Sequence, residues 1–422
     1  MKQIIILGGG AAGLAAAISA AQTAPGGVRV TLLERNPRVG KKLLATGNGR
    51  CNLDNADISP RRYFTADPAA LVPLLDAVDR AAPLEWFGAM GLYPRADEAG
   101  RIYPYSNQAA DVVALLERQL ERTGVQVRTG CTVRTLAQSR GGYTVQFAGA
   151  DGRTESLFAH AVICAMGGAA GPQFGTDGFG IRFAGQCGGR VEPVYPCLTA
   201  LQCAKPLKAL AGLRAKAAAR LLDGSRVLAE EVGEVQFTDY GLSGICIMQL
   251  SGLLAPGRGP KDPAVELDLF PALSGQELTG LFTAQARRTA ADTPAEFWLG
   301  LVPVRLGMAV WAAAGLPKEA SPQTLSPAAW ERLAHTARQL RFEGLTPCGW
   351  KQAQTTGGGL SLQEVEPESF RFKGCPGLYF VGETLDCAGS CGGYNLHWAF
   401  GTGLVAGRHA AQGQGQGGRK RR

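Results

Sequence analysis

Apolar residues near the start of the chain fall into two runs separated by a stretch rich in alanine. Residues 2–8 and 28–34 are rich in β-branched residues, which predicts two strands of a parallel sheet buried on both faces. Residues 11–22 predict a helix between them, and a Pro-Gly-Gly turn at 25–27 ends it. Together these segments predict one βαβ unit of about 30 residues.

The pattern continues with further helices and strands. Residues 40–55 are rich in glycine and asparagine and predict a loop, whereas 67–90 and 109–122 have helical periodicity. Strand-like segments follow in two groups, a small predicted meander at 125–136, 143–148 and 154–158, and further buried strands at 159–168 and 376–381. A β-rich stretch and then a helical stretch separate the last two strands, which predicts an insertion into the sheet domain.

Composition excludes several classes of protein. Hydrophobic residues make up 45% of the chain, too many for a disordered protein. The net charge is +8, but the last four residues, 419–422, are all basic, and no internal basic run carries interleaved aromatic residues. We therefore expect no nucleic acid partner. The eleven cysteines and four histidines lack metal-ligand spacing, which predicts no metal site and free thiols in the cytoplasm.

One apolar run imitates a signal peptide or a membrane helix. Residues 4–21 carry no charge, but they contain three consecutive glycines, which make a poor lipid-spanning helix. A buried strand and a packed helix joined by a tight turn explain the run better. We expect a protein without a membrane partner.

The turn between the first strand and helix carries the dinucleotide-binding pattern G-x-G-x-x-G. Gly8 ends the strand, Gly10 lets the backbone approach a pyrophosphate, and Gly13 allows close helix packing. The helix N-terminus offers free N–H groups to the phosphates. Glu34, at the end of the second strand, is placed to accept hydrogen bonds from the adenosine ribose. The same pattern at 413–418 lacks this context, so the pattern alone is weak.

Later segments favour FAD over NAD as the dinucleotide. No second pattern of this kind lies between a strand and a helix, so a separate nicotinamide domain is not apparent. The loop at 40–52 supplies backbone N–H groups and cations for a ligand longer than its adenosine half. Residues 382–395 follow a buried strand and precede a helix, whose N-terminus would favour negative charge on a reduced flavin.

Several of these segments give the chain a family resemblance. It resembles the BaiN-type, aminoacetone-oxidase-like family of NAD(P)/FAD-dependent oxidoreductases. The matching segments are LGGGAAGLAAAISA (7–20), GKKLLATGNGRCNLDN (40–55), GRIYPYSNQAADVVALL (100–116), GEVQFTDYGLSGICIMQLS (233–251), QTTGGG (354–359) and PGLYFVGETLDCAGSCGGYNLHWAFGTG (376–403). The resemblance implies an FAD-binding domain of the two-dinucleotide-binding type, interrupted by a β-barrel-like and helical insertion.

The predicted fold is therefore an α/β protein with an interrupted Rossmann-type FAD-binding domain. The predicted boundaries are 1–190 for its first part, 191–349 for an inserted substrate or cap domain (β-rich at 191–270, helical at 271–349), 350–411 for its second part and 412–422 for a disordered basic tail. Motif and resemblance together predict FAD contacts at Gly8, Gly10, Ala12, Gly13, Glu34, Arg35, Lys42, Gly47, Gly49, Arg50, Cys51, Asn52, Val133, Gly382, Glu383, Asp386, Gly393, Asn395 and Leu396.

The sequence indicates the catalytic residues less clearly than it indicates the cofactor site. Lys351 and Tyr394 are ionisable and close in sequence to the predicted flavin motifs, so either could donate a proton. Cys387 and Cys391 are four apart and could form a redox-active pair, but a small residue in a tight turn is a sufficient explanation of Cys391.

The expected activity is hydride transfer between FAD and a small or medium organic substrate. The resemblance implies either reduction of a conjugated C=C bond or oxidation of an amine, with NAD(P)H as a transient visitor or oxygen as the electron acceptor. Two alternatives remain open: a flavin-dependent RNA-modifying enzyme, and a non-catalytic FAD-binding module. The substrate, the preferred donor and the oligomeric state are not predicted.

Overall fold

A computed structural model describes residues 1–412 of the chain. All but the first residue of the predicted basic tail, 412–422, therefore lies outside the described residues. The chain divides into two compact units, the first formed by Met1–Pro196 with the described residues from Ala353 onward, and the second by Cys197–Gln352. The predicted domain boundaries at 190 and 349 fall a few residues from these, and they stay predictions.

Eleven α-helices are present in residues 1–412. They are α1 Ala11–Thr23, α2 Pro68–Arg80, α3 Pro83–Ala89, α4 Ala109–Arg122, α5 Phe179–Gln186, α6 Ile245–Ser251, α7 Gly275–Thr289, α8 Pro294–Trp298, α9 Val304–Ala313, α10 Pro327–Arg338 and α11 Tyr394–Gln412. Within this part of the chain, no helix combines the length and apolar character that a membrane crossing would need.

The strands of the same residues fall into several sheets. They are β1 Lys2–Leu7, β2 Val28–Leu33, β3 Asp54–Asn55, β4 Tyr63–Phe64, β5 Pro94–Ala96, β6 Arg101–Pro104, β7 Gln126–Arg128, β8 Thr132–Ser139, β9 Gly142–Ala148, β10 Thr154–Ala159, β11 Ala161–Cys164, β12 Val191–Cys197, β13 Leu201–Gln202, β14 Arg214–Asp223, β15 Arg226–Phe237, β16 Gly241–Ser243, β17 Pro263–Asp268, β18 Leu340–Glu343, β19 Thr346–Pro347, β20 Thr355–Leu360, β21 Leu378–Phe380 and β22 Ala388–Gly389.

A five-stranded parallel sheet forms the centre of the first unit. Its order is β21-β11-β1-β2-β7, so a strand from the end of the chain pairs beside strands from its beginning. Residues 4–7 of β1 are at most 2% exposed, as the unbroken apolar run requires. The predicted interrupted Rossmann-type domain is confirmed, with the strand C-termini meeting at one edge.

Two helices from opposite ends of the chain pack at very short range in this unit. An added Cβ on Gly403 of α11 would overlap the Ala12 carbonyl oxygen of α1, and one on Gly407 would overlap that of Ala16. Ser19 Oγ also donates a hydrogen bond to the Leu404 carbonyl at 2.8 Å. Small residues therefore fix how the C-terminal helix lies on the nucleotide-binding helix.

The meander differs from the prediction in its first strand. β8, β9 and β10 form a separate antiparallel sheet, as expected. The predicted strand at 125–136 is instead two strands, because β7 pairs parallel with β2 at the edge of the main sheet before the chain turns at Gly130. A short apolar segment does not reveal which of two neighbouring sheets offers it a partner.

The second unit contains a seven-stranded sheet and a helical part. The sheet order is β18-β17-β14-β15-β16-β13-β19. Its two edge strands follow each other in sequence, and the three residue steps from Glu343 to Thr346 span at most about 10 Å, so the sheet curls until its edges meet. This confirms the barrel-like prediction. The predicted division into a β-rich stretch at 191–270 and a helical stretch at 271–349 is only approximate. Helix α6 lies within the first stretch, and strands β18 and β19 of the sheet lie within the second.

Candidate functional site

The turn after β1 has the geometry that the glycine pattern requires. Gly8 has a φ of 101° and an added Cβ there would lie 2.5 Å from the Ala165 carbonyl oxygen. An added Cβ on Gly13 would overlap the Gly8 carbonyl oxygen. Gly10, the N-cap of α1, has nothing within 4 Å of an added Cβ, and no side chain caps the helix. The first N–H groups of α1 therefore point toward open space beside Gly10.

Glu34 lies at the C-terminal end of β2 and is 7% exposed. Its Oε2 accepts a hydrogen bond from Gly9 N at 2.7 Å, and its Oε1 accepts one from Asn36 N at 2.7 Å. The Glu34 carbonyl accepts a hydrogen bond from Cys131 N at 2.8 Å, which brings β8 and its residue Val133 to this strand end. Glu34 therefore joins the glycine turn to the segment that carries Val133, one of the predicted FAD contacts.

Arg35, next along the chain, is engaged elsewhere. Its Nη1 donates to the Gly175 carbonyl at 2.7 Å and to Asp177 Oδ2 at 2.9 Å. These contacts hold the chain that follows β11 against the end of β2. They give Arg35 an established partner in the protein itself, so a role toward a ligand remains a prediction.

The loop at 40–52 contains a short 3-10 helix, Leu43–Gly49, that includes left-handed residues. Gly47 has a φ of 56° and Gly49 one of 80°, and nothing lies within 4 Å of a Cβ added to Gly49. The Arg50 guanidinium lies 4.8 Å from the centre of the Tyr103 ring. Cys51 is fully buried, and burial outweighs a hydrogen bond with Thr46 to raise the pKa of its thiol to about 12. Its contribution is therefore steric, since a thiol with this pKa stays protonated.

Residues from the end of the chain lie beside the glycine turn. An added Cβ on Gly382, which has a φ of 63°, would lie 3.0 Å from the Cβ of Ala12. Asp386 Oδ2 accepts a hydrogen bond from Ala66 N at 2.7 Å. Asn395 bonds both ways with the backbone of Gly389, at 2.8 and 2.7 Å, which fixes its amide at the start of α11. Leu396 follows it, partly buried against the core.

An ion pair joins the loop at 40–52 to the segment at 382–395. Lys42 Nζ lies 2.7 Å from Glu383 Oε2 and donates to the Ala170 carbonyl at 3.1 Å. Glu383 Oε1 accepts hydrogen bonds from Thr356 N at 3.0 Å and from Thr356 Oγ1 at 2.8 Å. The same hydroxyl oxygen accepts from the N–H groups of Ala169 and Ala170. Segments 341 residues apart in sequence thus share one polar network.

The three catalytic candidates lie in different surroundings. Lys351 is exposed and belongs to the second unit. Tyr394 is 4% exposed, and burial raises the pKa of its hydroxyl, which stays protonated at neutral pH. Cys391 is partly buried and Cys387 fully so, and burial and then Asp386 raise the pKa of the Cys387 thiol well above its usual value. A reactive dithiol needs the opposite shift.

Sequence reasoning missed two features of the site. Thr356 lies in the matching segment QTTGGG and is not among the predicted site residues, although its hydroxyl donates a hydrogen bond to Glu383 and belongs to the same network. His397 lies between Asp54 and Asp79, which no spacing along the chain would reveal. Asp79 and His397 are 318 residues apart, so only the tertiary structure brings them together.

The residues present fit an FAD in three respects. The uncapped N-terminus of α1 offers N–H groups to a pyrophosphate, with space beside Gly10. Asn52 Oδ1 is buried without a hydrogen-bond partner, and it faces Gly393 of the opposite segment, 3.0 Å from an added Cβ. A buried acceptor of this kind calls for a donor, which a ribityl hydroxyl or a flavin N–H would supply. Arg50 and Lys42, the second of them paired with Glu383, bring positive charge to the same loop.

The fold and this site define a Rossmann-type flavoprotein. The chain matches the HI0933-like protein Rossmann domain family over residues 2–409. It belongs to this family, which makes it an FAD-dependent oxidoreductase.

Two curated relatives match nearly the whole chain. The 3-dehydro-bile acid delta(4,6)-reductase of Clostridium scindens is 38% identical over 98% of this chain and 100% of its own length. The ribosomal RNA dihydrouridine synthase of Escherichia coli is 27% identical over 94% of each chain. Among solved structures, the 3-ketosteroid-delta4-(5alpha)-dehydrogenase of Rhodococcus jostii is 16% identical, with a TM-score of 0.50 over 97% of each chain. That likeness supports the fold.

Proposed function

We propose that this protein reduces a carbon–carbon double bond conjugated to a carbonyl group in a small organic substrate. The observation that carries the proposal is its 38% identity, over 98% of this chain and 100% of the relative, to a reductase named for the delta(4,6) bonds of 3-dehydro-bile acids. The name dihydrouridine synthase describes equivalent chemistry, since dihydrouridine is uridine saturated at a bond conjugated to a carbonyl. The two relatives therefore share a reaction type although their substrates differ in size.

The residues assigned to FAD divide into two sets according to the half of the cofactor they would hold. The N-terminus of α1 would bind the pyrophosphate and Glu34 the adenosine ribose, with Val133 beside the adenine. Lys42, Asn52, Glu383 and Asn395 would hold the flavin half. Bound FAD supplies hydride transfer, and the protein binds, orients and excludes water.

The proposal also covers the substrate class, the electron donor and the cellular compartment. A fused-ring enone of the bile acid kind is the first substrate class to test. NAD(P)H would reduce the flavin during a transient visit, because the chain carries no second dinucleotide pattern between a strand and a helix. All eleven cysteines are free thiols, which suits the reducing cytoplasm.

Anaerobic reoxidation tests the reaction. The flavin is reduced, and its spectrum is followed after mixing with a 3-oxo-4,6-diene bile acid, a simple enone, a quinone, a disulfide or oxygen. We expect the enones to reoxidise the flavin and the saturated 3-oxo bile acid, the matched control, to leave it reduced. Reoxidation by oxygen or quinone alone, or reduction of the flavin by an amine without turnover of any enone, would contradict the proposal.

RNA modification is the second candidate, favoured by the 27% identity to a ribosomal RNA enzyme. Incubating reduced protein with ribosomal RNA lacking dihydrouridine, followed by mass spectrometry of the nucleosides, separates the two candidates. Small-molecule reduction predicts no mass gain in uridine. If dihydrouridine forms, a chain without residues 413–422 shows whether the basic tail contributes to RNA binding.

A further inference from the structure

Three ionisable side chains from three elements meet inside the first unit. His397 Nε2, from the first turn of α11, lies 2.9 Å from Asp79 Oδ1 of α2. His397 Nδ1 lies 3.0 Å from Asp54 Oδ1 of β3. His397 is 4% exposed and Asp54 3%, whereas about half of the Asp79 side chain reaches solvent. We name these three residues the His397 cluster.

The surroundings of His397 favour its charged form. His397 Nε2 makes a hydrogen bond with Asp79 Oδ1, whereas His397 Nδ1 lies at ion-pair distance from Asp54 Oδ1 without the alignment of a hydrogen bond, so two carboxylates lie beside the ring. Burial by itself would lower the pKa of His397, but Asp54 and Asp79 together raise it to about 9. The Tyr63 hydroxyl is influenced by the same two carboxylates, and burial above all raises its pKa well above the usual value, so it stays neutral. At neutral pH the imidazolium is therefore the one cation facing two carboxylates in this cluster.

The cluster lies where residues 50–55, the end of the loop rich in glycine and asparagine, meet the start of α11. An added Cβ on Gly393 would overlap the Asp54 carbonyl oxygen, so the two backbones touch. Asn55 Nδ2 donates to the Gly392 carbonyl at 2.8 Å. The unpartnered Asn52 Oδ1 faces the same glycine from two residues before Asp54. His397 therefore contacts the Asp54 carboxylate of this segment, and it belongs to the same helix, α11, as Asn395 and Leu396.

We propose that His397 is a positioning residue for FAD, and that its imidazolium, by holding Asp54, keeps the loop at 50–55 on the first turn of α11. This inference rests on the proposed cofactor site. Neither Asp54 nor His397 is assigned a contact with FAD. When the imidazolium loses its proton, the buried Asp54 carboxylate and the half-exposed Asp79 carboxylate lose the positive charge that lies between them, and the loop moves away from the helix.

Titration of the apoprotein with FAD from pH 6.5 to 10, followed by flavin fluorescence, tests this role. For the unchanged protein we expect a constant dissociation constant up to about pH 8 and a rise of roughly tenfold or more by pH 10, because affinity follows the imidazolium. His397→Gln keeps one donor and lacks the charge. It should bind FAD about tenfold more weakly at pH 7, with no alkaline rise.

Two further variants separate positioning from a purely structural contribution. Asp79→Asn removes a half-exposed carboxylate, so the pKa of His397 falls and the alkaline rise should begin at a lower pH. His409→Gln, on the same helix, should match the unchanged protein. Circular dichroism confirms folding in each case. If His397→Gln does not fold, the pH at which FAD affinity begins to fall in Asp79→Asn still tests the inference.

Three results would contradict the proposed role of His397. An FAD affinity that is flat to pH 10, or an alkaline rise that persists in His397→Gln, would overturn the inference. So would an unshifted profile in folded Asp79→Asn. The readout needs no turnover: a protein that reduces none of the tested enones still reports its FAD affinity, so failure here and failure of the proposed reaction are distinguishable.

Discussion

At the scale of single residues, Glu34 shows how a side chain with a predicted ligand role also holds the fold. Its two oxygens accept hydrogen bonds from the backbone N–H groups of Gly9 and Asn36, each at 2.7 Å. The carboxylate therefore holds the glycine turn in position at the end of β2, where the ribose is expected. Its negative charge would also repel a 2′-phosphate at this position.

Replacing Glu34 should lower both stability and FAD affinity. In Glu34→Ala, the N–H of Gly9 loses its partner inside the protein, which costs about 1–3 kcal/mol of the free energy of unfolding. We expect FAD to bind at least tenfold more weakly, measured by fluorescence titration together with denaturant unfolding. Glu34→Gln keeps one acceptor oxygen and should fall between the two proteins. A Glu34→Ala protein with unchanged stability and affinity would show that the turn does not depend on this carboxylate.

At the scale of elements, the approach of α11 to α1 depends on glycine. The carbonyl oxygens of Ala12 and Ala16 occupy the space where a side chain at 403 or 407 would begin. Since α1 carries the predicted pyrophosphate site and α11 begins beside the predicted flavin site, this packing sets the distance between the two halves of the cofactor site. Dense interiors resist even one added carbon.

Gly403→Ala should destabilise the protein. The added methyl group overlaps backbone, which cannot rotate away, so we expect a loss of about 2–3 kcal/mol, together with weaker FAD binding. Gly88→Ala in α3 is the matched control: an added Cβ there has nothing within 4 Å, and alanine should be neutral or stabilise by up to about 1 kcal/mol. Thermal unfolding of both apoproteins measures the difference. Equal melting temperatures would mean that the two helices are not in close contact.

At the scale of the whole molecule, several buried groups bind protons more tightly in the folded state than in the unfolded one. The pKa of His397 is raised to about 9, and burial raises the pKa values of Cys51 to about 12 and of Cys187 and Cys203 to about 11. A group whose pKa is raised by folding contributes stability below its unfolded pKa and loses that contribution as the pH rises through the folded value. All four therefore weaken the fold in alkali.

The apoprotein should consequently lose stability in two stages. Between pH 6.5 and 9 the His397 contribution disappears, and a shift from 6.5 to about 9 corresponds to roughly 3–4 kcal/mol as an upper bound. Above pH 9 the buried thiols dominate. Denaturant unfolding at successive pH values measures both stages, and His397→Gln should abolish the first stage alone. A stability that rises between pH 7 and 9 would contradict the direction of these pKa shifts.

The sequence by itself determined the local elements and one end of the site. The unbroken apolar run of β1, the glycine turn and Glu34 are contiguous, and their chemistry depends on backbone conformation and on a helix N-terminus that the same residues form. The family resemblance supplied the distant flavin residues, which no local pattern would have joined to the turn. The division of residues 125–136 between two sheets could not be predicted, because it depends on the partner each strand finds.

The tertiary structure alone decided which distant side chains share a charge network. Lys42 meets Glu383, and His397 meets Asp54 and Asp79, because parallel strands and glycine-mediated helix packing bring the two chain ends together. Electrostatic interactions depend on distance through space and on burial, and neither is written in the spacing of residues along the chain. For this reason the sequence indicated a flavoprotein, whereas the contacts of His397 with Asp54 and Asp79 are visible only in the folded chain.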